Sequence, residues 1–431
     1  MTQETPQVPR SPLPPVHEAF LPREHALHRP RHGRRQAVAL VCAAVFFGTP
    51  VLASVAGVHP GQFENRALTS FPGLGQGWSF FPQLGQWATD HLAFREQAVH
   101  AGDGISRGLF GEAPPLDGQR PQDQQGPIPA QPPAPAPLVN YPKVLEGKNG
   151  WMYLGDEIAS HCNLKQPLAQ TMAELDRLRD GVRASGRQFV VVVAPDKTTI
   201  APEYLPSNYV GKDCRERTAA EFWQRVDADN SILDLRSGLE AQGRAVGAPV
   251  YGPQDAHWSD EGGMLMARSL AESMSPGSTA SWVIKPSDPW QMPADLPPLI
   301  GHTGTTSGRH YEVLTDGKRD QTREVLSDLK APLKLTSASG TGTYQGKVAL
   351  LGDSFTYRAL PYLAATFGNM TAQHHSALLT DTGSTVGDMF ADNRVVAIEV
   401  VERTLASGTF GLLAPQVVDN ILAKLAARPI R

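Results

Sequence analysis

Lys347-Val-Ala-Leu-Leu-Gly-Asp-Ser-Phe355 is the stretch that decides how this chain folds. Its apolar run, Val348 to Leu351, ends in Gly352-Asp353-Ser354, and an apolar-periodic stretch follows. That order predicts a strand, a tight turn and a helix, with the Ser354 hydroxyl projecting beyond the carboxyl end of the strand. Open α/β sheets form their ligand crevices at that edge, and the N-terminus of the next helix offers free N–H groups to a developing oxyanion. The same tripeptide also reads as a core strand running into a helix N-cap. A nucleophilic serine needs a base, so the rest of the chain has to supply one.

The neighbouring elements follow one pattern. Phe189 to Val193 is a continuous apolar, β-branched run, as expected of a strand buried on both faces, and it ends at Ala194-Pro-Asp-Lys197. Ile232-Leu-Asp-Leu235 and Arg394-Val-Val-Ala-Ile-Glu-Val-Val401 read as further strands, and Gly147-Lys-Asn-Gly-Trp-Met-Tyr153 as a turn with a short aromatic strand. Helical spacing marks Met172, Leu175, Leu178 and Val182, ending near Gly186. It marks Ala219 to Val226, the stretch from Ser354 to Phe367, and about Gln416 to Ala426 as well. Strands alternating with helices predict a three-layer α/β fold, a parallel sheet with helices on both faces. Residues 281–343, rich in Ser, Thr, Gly and Pro, read as an insertion of irregular or β structure that lies over the site or elsewhere.

The chain of 431 residues carries a net charge of -4, with basic residues clustered only near the N-terminus, so no nucleic-acid partner is expected. Residues 1–35 are Pro-rich, lack an apolar period and end in Arg29-Pro-Arg31-His-Gly-Arg34-Arg35, which predicts a disordered cytoplasmic tail. Ala37 to Ala56 then run without a charge. At about 1.5 Å per residue the run reaches about 30 Å, enough for one bilayer crossing, and an anchor over 36–57 is expected. The basic cluster before it places the rest of the chain outside the cytoplasm. A buried core helix and a cleaved signal peptide, with Ser54-Val-Ala56 as its small-residue site, are the alternatives. Within 58–113, Leu84, Trp87, His91, Phe94 and Ala98 recur at helical spacing and predict a juxtamembrane amphipathic helix. Residues 114–137, rich in Pro and Gln, read as a linker, and 138–431 as the main domain.

Export also bears on the three cysteines. Cys42 lies in the apolar run, leaving Cys162 and Cys214 either to pair or to stay as two buried thiols. A bridge is expected, and closing that loop would stabilise by roughly 4 kcal/mol in the chain-entropy view.

The missing base is found in Tyr251-Gly-Pro-Gln-Asp-Ala-His-Trp-Ser-Asp-Glu-Gly-Gly263. Asp255 and His257 lie in a Gly/Pro-flanked loop ahead of a helix whose apolar face includes Leu265, Ala267 and Leu270. An Asp two residues before a His can turn its carboxylate onto Nδ1 and leave Nε2 free for a serine proton, with Trp258 packing behind the imidazole. Ser354, His257 and Asp255 are then nucleophile, base and orienter, a set suited to acyl transfer. In the other reading His257 is an ordinary surface residue, and Asp255 and Asp260 are helix caps. A metal held by Asp255, His257 and His302 or His374 lacks supporting spacing, so neither a metal nor a cofactor is expected.

These motifs, together with Glu64-Asn-Arg66, Asp90-His-Leu-Ala-Phe-Arg95, Phe110-Gly-Glu112 and Glu402-Arg403, resemble in order those of the SGNH-hydrolase-like alginate O-acetyltransferase family, the AlgJ/AlgX-like proteins. The resemblance runs from about Gln62 to Arg403 and is to the single-domain members. It implies a flavodoxin-like SGNH fold and transfer of acetyl groups onto an exported polysaccharide, with an MBOAT-class membrane acyltransferase as donor. Its catalytic residues fall on Asp255, His257 and Ser354. Tyr357, Arg358 and Arg403 are candidate oxyanion or substrate contacts, although Thr404 stands where some members carry Tyr. The expected function is an extracytoplasmic O-acetyltransferase; the alternatives are an acetyl esterase of polysaccharide or peptidoglycan and a non-catalytic polysaccharide-assembly protein.

Overall fold

The computed structural model describes residues 34–55, scattered positions between 71 and 91, and 139–430 apart from 338. They belong to two units. In the N-terminal one, helix α1 spans Arg34–Val55 and takes in nearly all of the uncharged run. Several of its side chains lie outside the described residues, and among the described residues no single helix is long and apolar enough to cross a membrane. The expected anchor is thus seen as a helix and not as a span. Leu84 and Trp87 are helical, and the His91 N–H donates to the Trp87 carbonyl at 3.0 Å with the two rings stacked 4.9 Å apart. Phe94, Ala98, the tail up to residue 33, the 114–137 linker and the Glu64-Asn-Arg66 and Phe110-Gly-Glu112 motifs lie outside the described residues, as does the Asp90–Arg95 motif apart from His91.

The larger unit opens with the antiparallel pair β1 (Val144–Glu146) and β2 (Met152–Leu154). Helices α2 (Asp156–Cys162) and α3 (Leu168–Ala184) lead to β3 (Gln188–Ala194), the short α4 (Lys197–Ile200) and α5 (Lys212–Ala228). Then come β4 (Ile232–Asp234), α6 (Arg236–Val246) and α7 (Asp260–Met274). The insertion contributes β5 (Val283–Pro293), β6 (Thr305–Leu314) and β7 (Leu333–Leu335). The chain closes with β8 (Tyr344–Gly352), α8 (Thr356–Thr366), β9 (Phe367–His374), α9 (Leu378–Asp381), α10 (Ser384–Ala391), β10 (Val395–Val401), α11 (Glu402–Ala406) and α12 (Pro415–Ala427).

Six strands form one sheet in the order β4-β3-β10-β8-β9-β7, so the Ser354 strand lies inside it. Side-chain alternation splits the core into two layers. Val396, Ile398 and Val400 of β10 pack with α3, α5, α10 and α12, whereas Val395, Ala397 and Val401 pack with α6, α7 and α8. Every residue of β10 is buried, which is why the strand reads as one apolar run with a lone Glu399 inside it. Helix α3 stops at Gly186, whose φ of 83° suits only glycine readily; a Cβ there would also collide with the Ile430 carbonyl.

Two strands depart from the expectation. The sheet is mixed: β7 runs antiparallel to β9 at the edge, Leu333 opposite Ala372 and Leu335 opposite Met370. It arrives from the insertion rather than through a helical crossover, so nothing forces it parallel. β9 follows α8 without a loop, and its Gly368, Asn369, Thr371 and Gln373 hide a strand that pairing on both edges stabilises. The insertion itself is largely a β5–β6 hairpin whose register shifts between Pro286 and Pro289, where two backbone donors are missing.

A disulfide joins Cys162 at the end of α2 to Cys214 on α5, across 52 residues of chain. Replacing both by Ser is expected to lower unfolding stability by about 4 kcal/mol, read by urea denaturation with and without reductant. Equal midpoints in all four samples would show that the bridge adds nothing.

Candidate active site

The carboxyl ends of β3, β8 and β10 lie side by side, in register Val401 with Ala194 and Ile398 with Leu351. That places Asp196-Lys197, Ser354 and Glu402-Arg403 along one edge of the sheet. Gly352 ends β8 where a Cβ would strike Thr356 Oγ1, so only glycine lets α8 start so close. Asp353 then fastens the turn: its Oδ1 accepts the Phe355 N–H at 2.8 Å and its Oδ2 the Val401 N–H at 2.8 Å. From below, Glu399 Oε2 accepts the Asp353 N–H at 3.0 Å and the Thr356 hydroxyl at 2.8 Å. Burial, reinforced by the Asp353 charge, pushes the Glu399 carboxyl well above the usual range. The turn that presents Ser354 is therefore pinned on three sides.

The loop before α7 meets it. His257 Nε2 is 2.8 Å from Ser354 Oγ. His257 Nδ1 is 3.2 Å from Asp255 Oδ1, which also accepts the His257 backbone N–H at 2.9 Å. A second carboxylate shares Nδ1: Asp295 Oδ2 lies 3.0 Å away. Asp295 follows β5 in the insertion, its Oδ1 accepting the Ala256 N–H at 2.9 Å, and the next residue's N–H donates to the Gln254 carbonyl at 3.2 Å. This residue escaped the sequence reading. Its only signal is a lone acid in the proline-rich Pro293-Ala-Asp-Leu-Pro-Pro298, far along the chain from the histidine.

The electrostatics follow from that geometry. Burial alone would lower the His257 pKa, but the hydrogen bonds and charges of Asp255 and Asp295 outweigh it and lift the imidazole to about 10. Asp255 is held below its usual value despite burial by its hydrogen bonds with His257 and by the Arg358 charge. For Asp295, burial and the adjacent Asp255 charge outweigh the His257 hydrogen bond and raise it.

Phe355, rather than Trp258, lies against the imidazole, with ring centres 4.8 Å apart. Trp258 packs edge-on against Phe355 at 5.1 Å, and its Nε1 donates to the Phe355 carbonyl at 3.0 Å. Asp260 is no simple cap: it accepts from Trp290 Nε1, His310 Nδ1 and the Tyr362 hydroxyl at 2.8, 3.1 and 2.7 Å. Tyr357 donates to the Asp328 carbonyl at 3.0 Å, while Arg358 stacks on Trp290, 4.1 Å from the ring centre. Arg403 is half-buried, its guanidinium 5.8 Å from the Phe355 ring centre and its Nη1 2.6 Å from Asp196 Oδ1.

Two sets of side chains bring metal-type donor atoms within 4.8 Å of one another among the described residues: His161, Asp196 and Glu402, and Asp255, His257 and Asp295. In the first, Arg403 supplies positive charge to Asp196 and Arg215 to Glu402. In the second, the proton on His257 Nδ1 does so. His302 and His374 belong to neither. Concavities of about 570 and 450 Å³ lie elsewhere, along α3 and α5, and contain none of the triad residues. Ser354 itself is half-buried at the edge of the sheet.

Residues 144–368 match the family of SGNH hydrolase-like domains of the acetyltransferase AlgX, over more than half of the chain. The chain belongs to that family. It is 28% identical over 133 residues to a probable alginate O-acetylase AlgJ of Pseudomonas fluorescens, covering 31% of this chain and 34% of that protein. With AlgJ of Azotobacter vinelandii it shares 26% over 137 residues, with the same coverage of 31% and 34%. The chain thus spans about a third of the length of the curated relatives it matches. Among solved structures, the O-acetyltransferase domain of Pseudomonas putida AlgJ aligns with a TM-score of 0.44 at 20% identity, covering 65% of this chain and 99% of that one. Pseudomonas aeruginosa AlgX aligns at 0.42 and 15%, covering 64% and 67%. The AlgX-type match runs from β1 into β9 and so takes in Asp255, His257, Asp295 and Ser354.

Proposed function

We propose that this AlgX-type domain is an O-acetyltransferase that carries its acetyl group on Ser354 and delivers it to a hydroxyl of a polysaccharide. One observation carries the reading: the line from Ser354 Oγ through His257 to two carboxylates, closed at 2.8, 3.2 and 3.0 Å. Ser354 Oγ attacks the donor's acetyl carbonyl while His257 Nε2 takes the hydroxyl proton, which then leaves with the departing group. A sugar hydroxyl next gives its proton to Nε2 and attacks the acetyl-serine, and the proton returns to Ser354 Oγ as the ester passes to the sugar. Asp255 and Asp295 balance the imidazolium formed in each half-reaction. Among the described residues the Ser354 N–H donates no hydrogen bond, which suits it to the oxyanion at the start of the 11-residue α8.

The polysaccharide acceptor is supported by the names of the AlgJ relatives, and an MBOAT-class membrane acyltransferase as donor by the resemblance of the motifs. An extracytoplasmic site, anchored through α1, is supported by the uncharged run behind basic residues and by the disulfide. Cleavage of an N-terminal tag by protease added to intact cells would overturn that topology.

The transfer itself is tested by incubating the protein with an activated acetyl ester, with and without candidate oligosaccharides. Acetylated sugar formed by the wild type and not by Ser354→Ala is the expected result. Acetate released at the same rate whatever sugar is present would instead make the protein an esterase.

A further inference from the structure

Lys197 follows the end of β3 and is 0% exposed, yet its ammonium has no carboxylate bonded to it among the described residues. Instead four backbone carbonyls converge on Nζ: Met152 at 2.7 Å, Gly252 at 2.6 Å, Pro253 at 2.8 Å and Asp255 at 3.0 Å. The rings of Trp151 and Tyr153 complete the enclosure at 4.8 and 5.3 Å. Three of the four carbonyls belong to residues 252–255, so the loop curls around the ammonium as a loop curls around a bound cation.

This arrangement is expensive if stability is its only purpose. A buried charge without a bonded counter-charge loses its hydration, and an apolar side chain of similar volume would fill the space without that cost. Glu157 from α2, Asp255 from the loop and Asp295 after β5 act on the ammonium only at longer range. What the ammonium does fix is backbone direction. Asp255 is held by its carbonyl on one side and meets His257 Nδ1 with its carboxylate on the other.

We propose that Lys197 is a positioning residue for the acyl transfer argued above: its ammonium is the cation around which Gly252–Asp255 folds, and it sets the Asp255 carboxylate against His257. The proposal rests on that reading for its kinetic consequence and on the loop geometry alone for its spectroscopic one. Lys197→Gln keeps two N–H donors for the carbonyls and removes the charge; Lys197→Met removes both.

The experiment uses the full chain, an activated acetyl ester and NMR of 13C-labelled histidine. In folded variants, judged by circular dichroism, the rate of Ser354 acylation is expected to fall at least about 100-fold while KM for the ester stays within about threefold. The His257 titration midpoint is expected to fall by at least about one pH unit as Asp255 leaves Nδ1. A merely structural lysine would lower the melting temperature and leave both readings in place. Acylation within threefold of wild type, an unmoved His257 midpoint, or failure of both variants to fold would each overturn the proposal. If the wild type itself does not acylate, the acyl-transfer reading falls, and the His257 midpoint still decides what Lys197 does.

Discussion

Ser354→Ala is expected to reduce acetyl transfer from an activated ester by about four orders of magnitude or more, to the level set by binding and oxyanion contacts alone. The Ser354 hydroxyl lies 2.8 Å from His257 Nε2, and alanine leaves no oxygen in its place. The fold should survive, because Ser354 is only half-buried and its turn is fastened by Asp353 and Glu399. Steady-state rates with the colorimetric ester, beside an unchanged melting curve, provide the check. Turnover within tenfold of wild type would remove Ser354 as the nucleophile.

The second large effect concerns Asp295 and the pH at which the site works. A base must be deprotonated to accept the serine proton, so activity rises with pH through the His257 pKa. With that pKa lifted to about 10, the imidazole is mostly protonated at pH 7. Asp295→Asn removes one of the two negative charges at Nδ1 and should pull the pKa down. The rising limb of kcat/KM is then expected to move to lower pH by at least about one unit. Asp255→Asn shifts the limb in the same direction, and its maximal rate should fall about 100-fold or more. That side chain also holds the His257 backbone, and its amide can present the wrong partner to the ring. A limb that stays where the wild type has it after Asp295→Asn would show that Asp295 does not act on the imidazole.

The parts of the site that could be read from the chain are those written locally. Ser354 stands at the end of an apolar strand, and Asp255 and His257 are two residues apart in one Gly/Pro-flanked loop. The remaining parts depend on contacts between distant segments. Asp295 reaches His257 only because the β5–β6 hairpin folds its connection against the 254–256 loop. Glu399 interrupts an otherwise apolar strand, a visible oddity whose partner, the Asp353 turn, is fixed only by strand order. Lys197 was visible within Ala194-Pro-Asp-Lys197, but its carbonyl cage is not, since backbone acceptors leave no trace in composition. The fold shows the same division. Strands buried on both faces announce themselves as Val-rich runs, whereas β9 and β7 are strands because of what they pair with. Arg403 is a motif residue whose charge suggests substrate, and in the fold it pairs with Asp196 beside Phe355.

The most direct test of the central claim is to look for the acetyl-enzyme. The protein is mixed with the activated acetyl ester in the absence of sugar, quenched in acid within the first turnover, digested and examined by peptide mass spectrometry. One acetyl group on the peptide bearing Ser354, lost again when an acceptor oligosaccharide is added before the quench, is the predicted result. Full turnover with no acetyl on Ser354 at any time would contradict it.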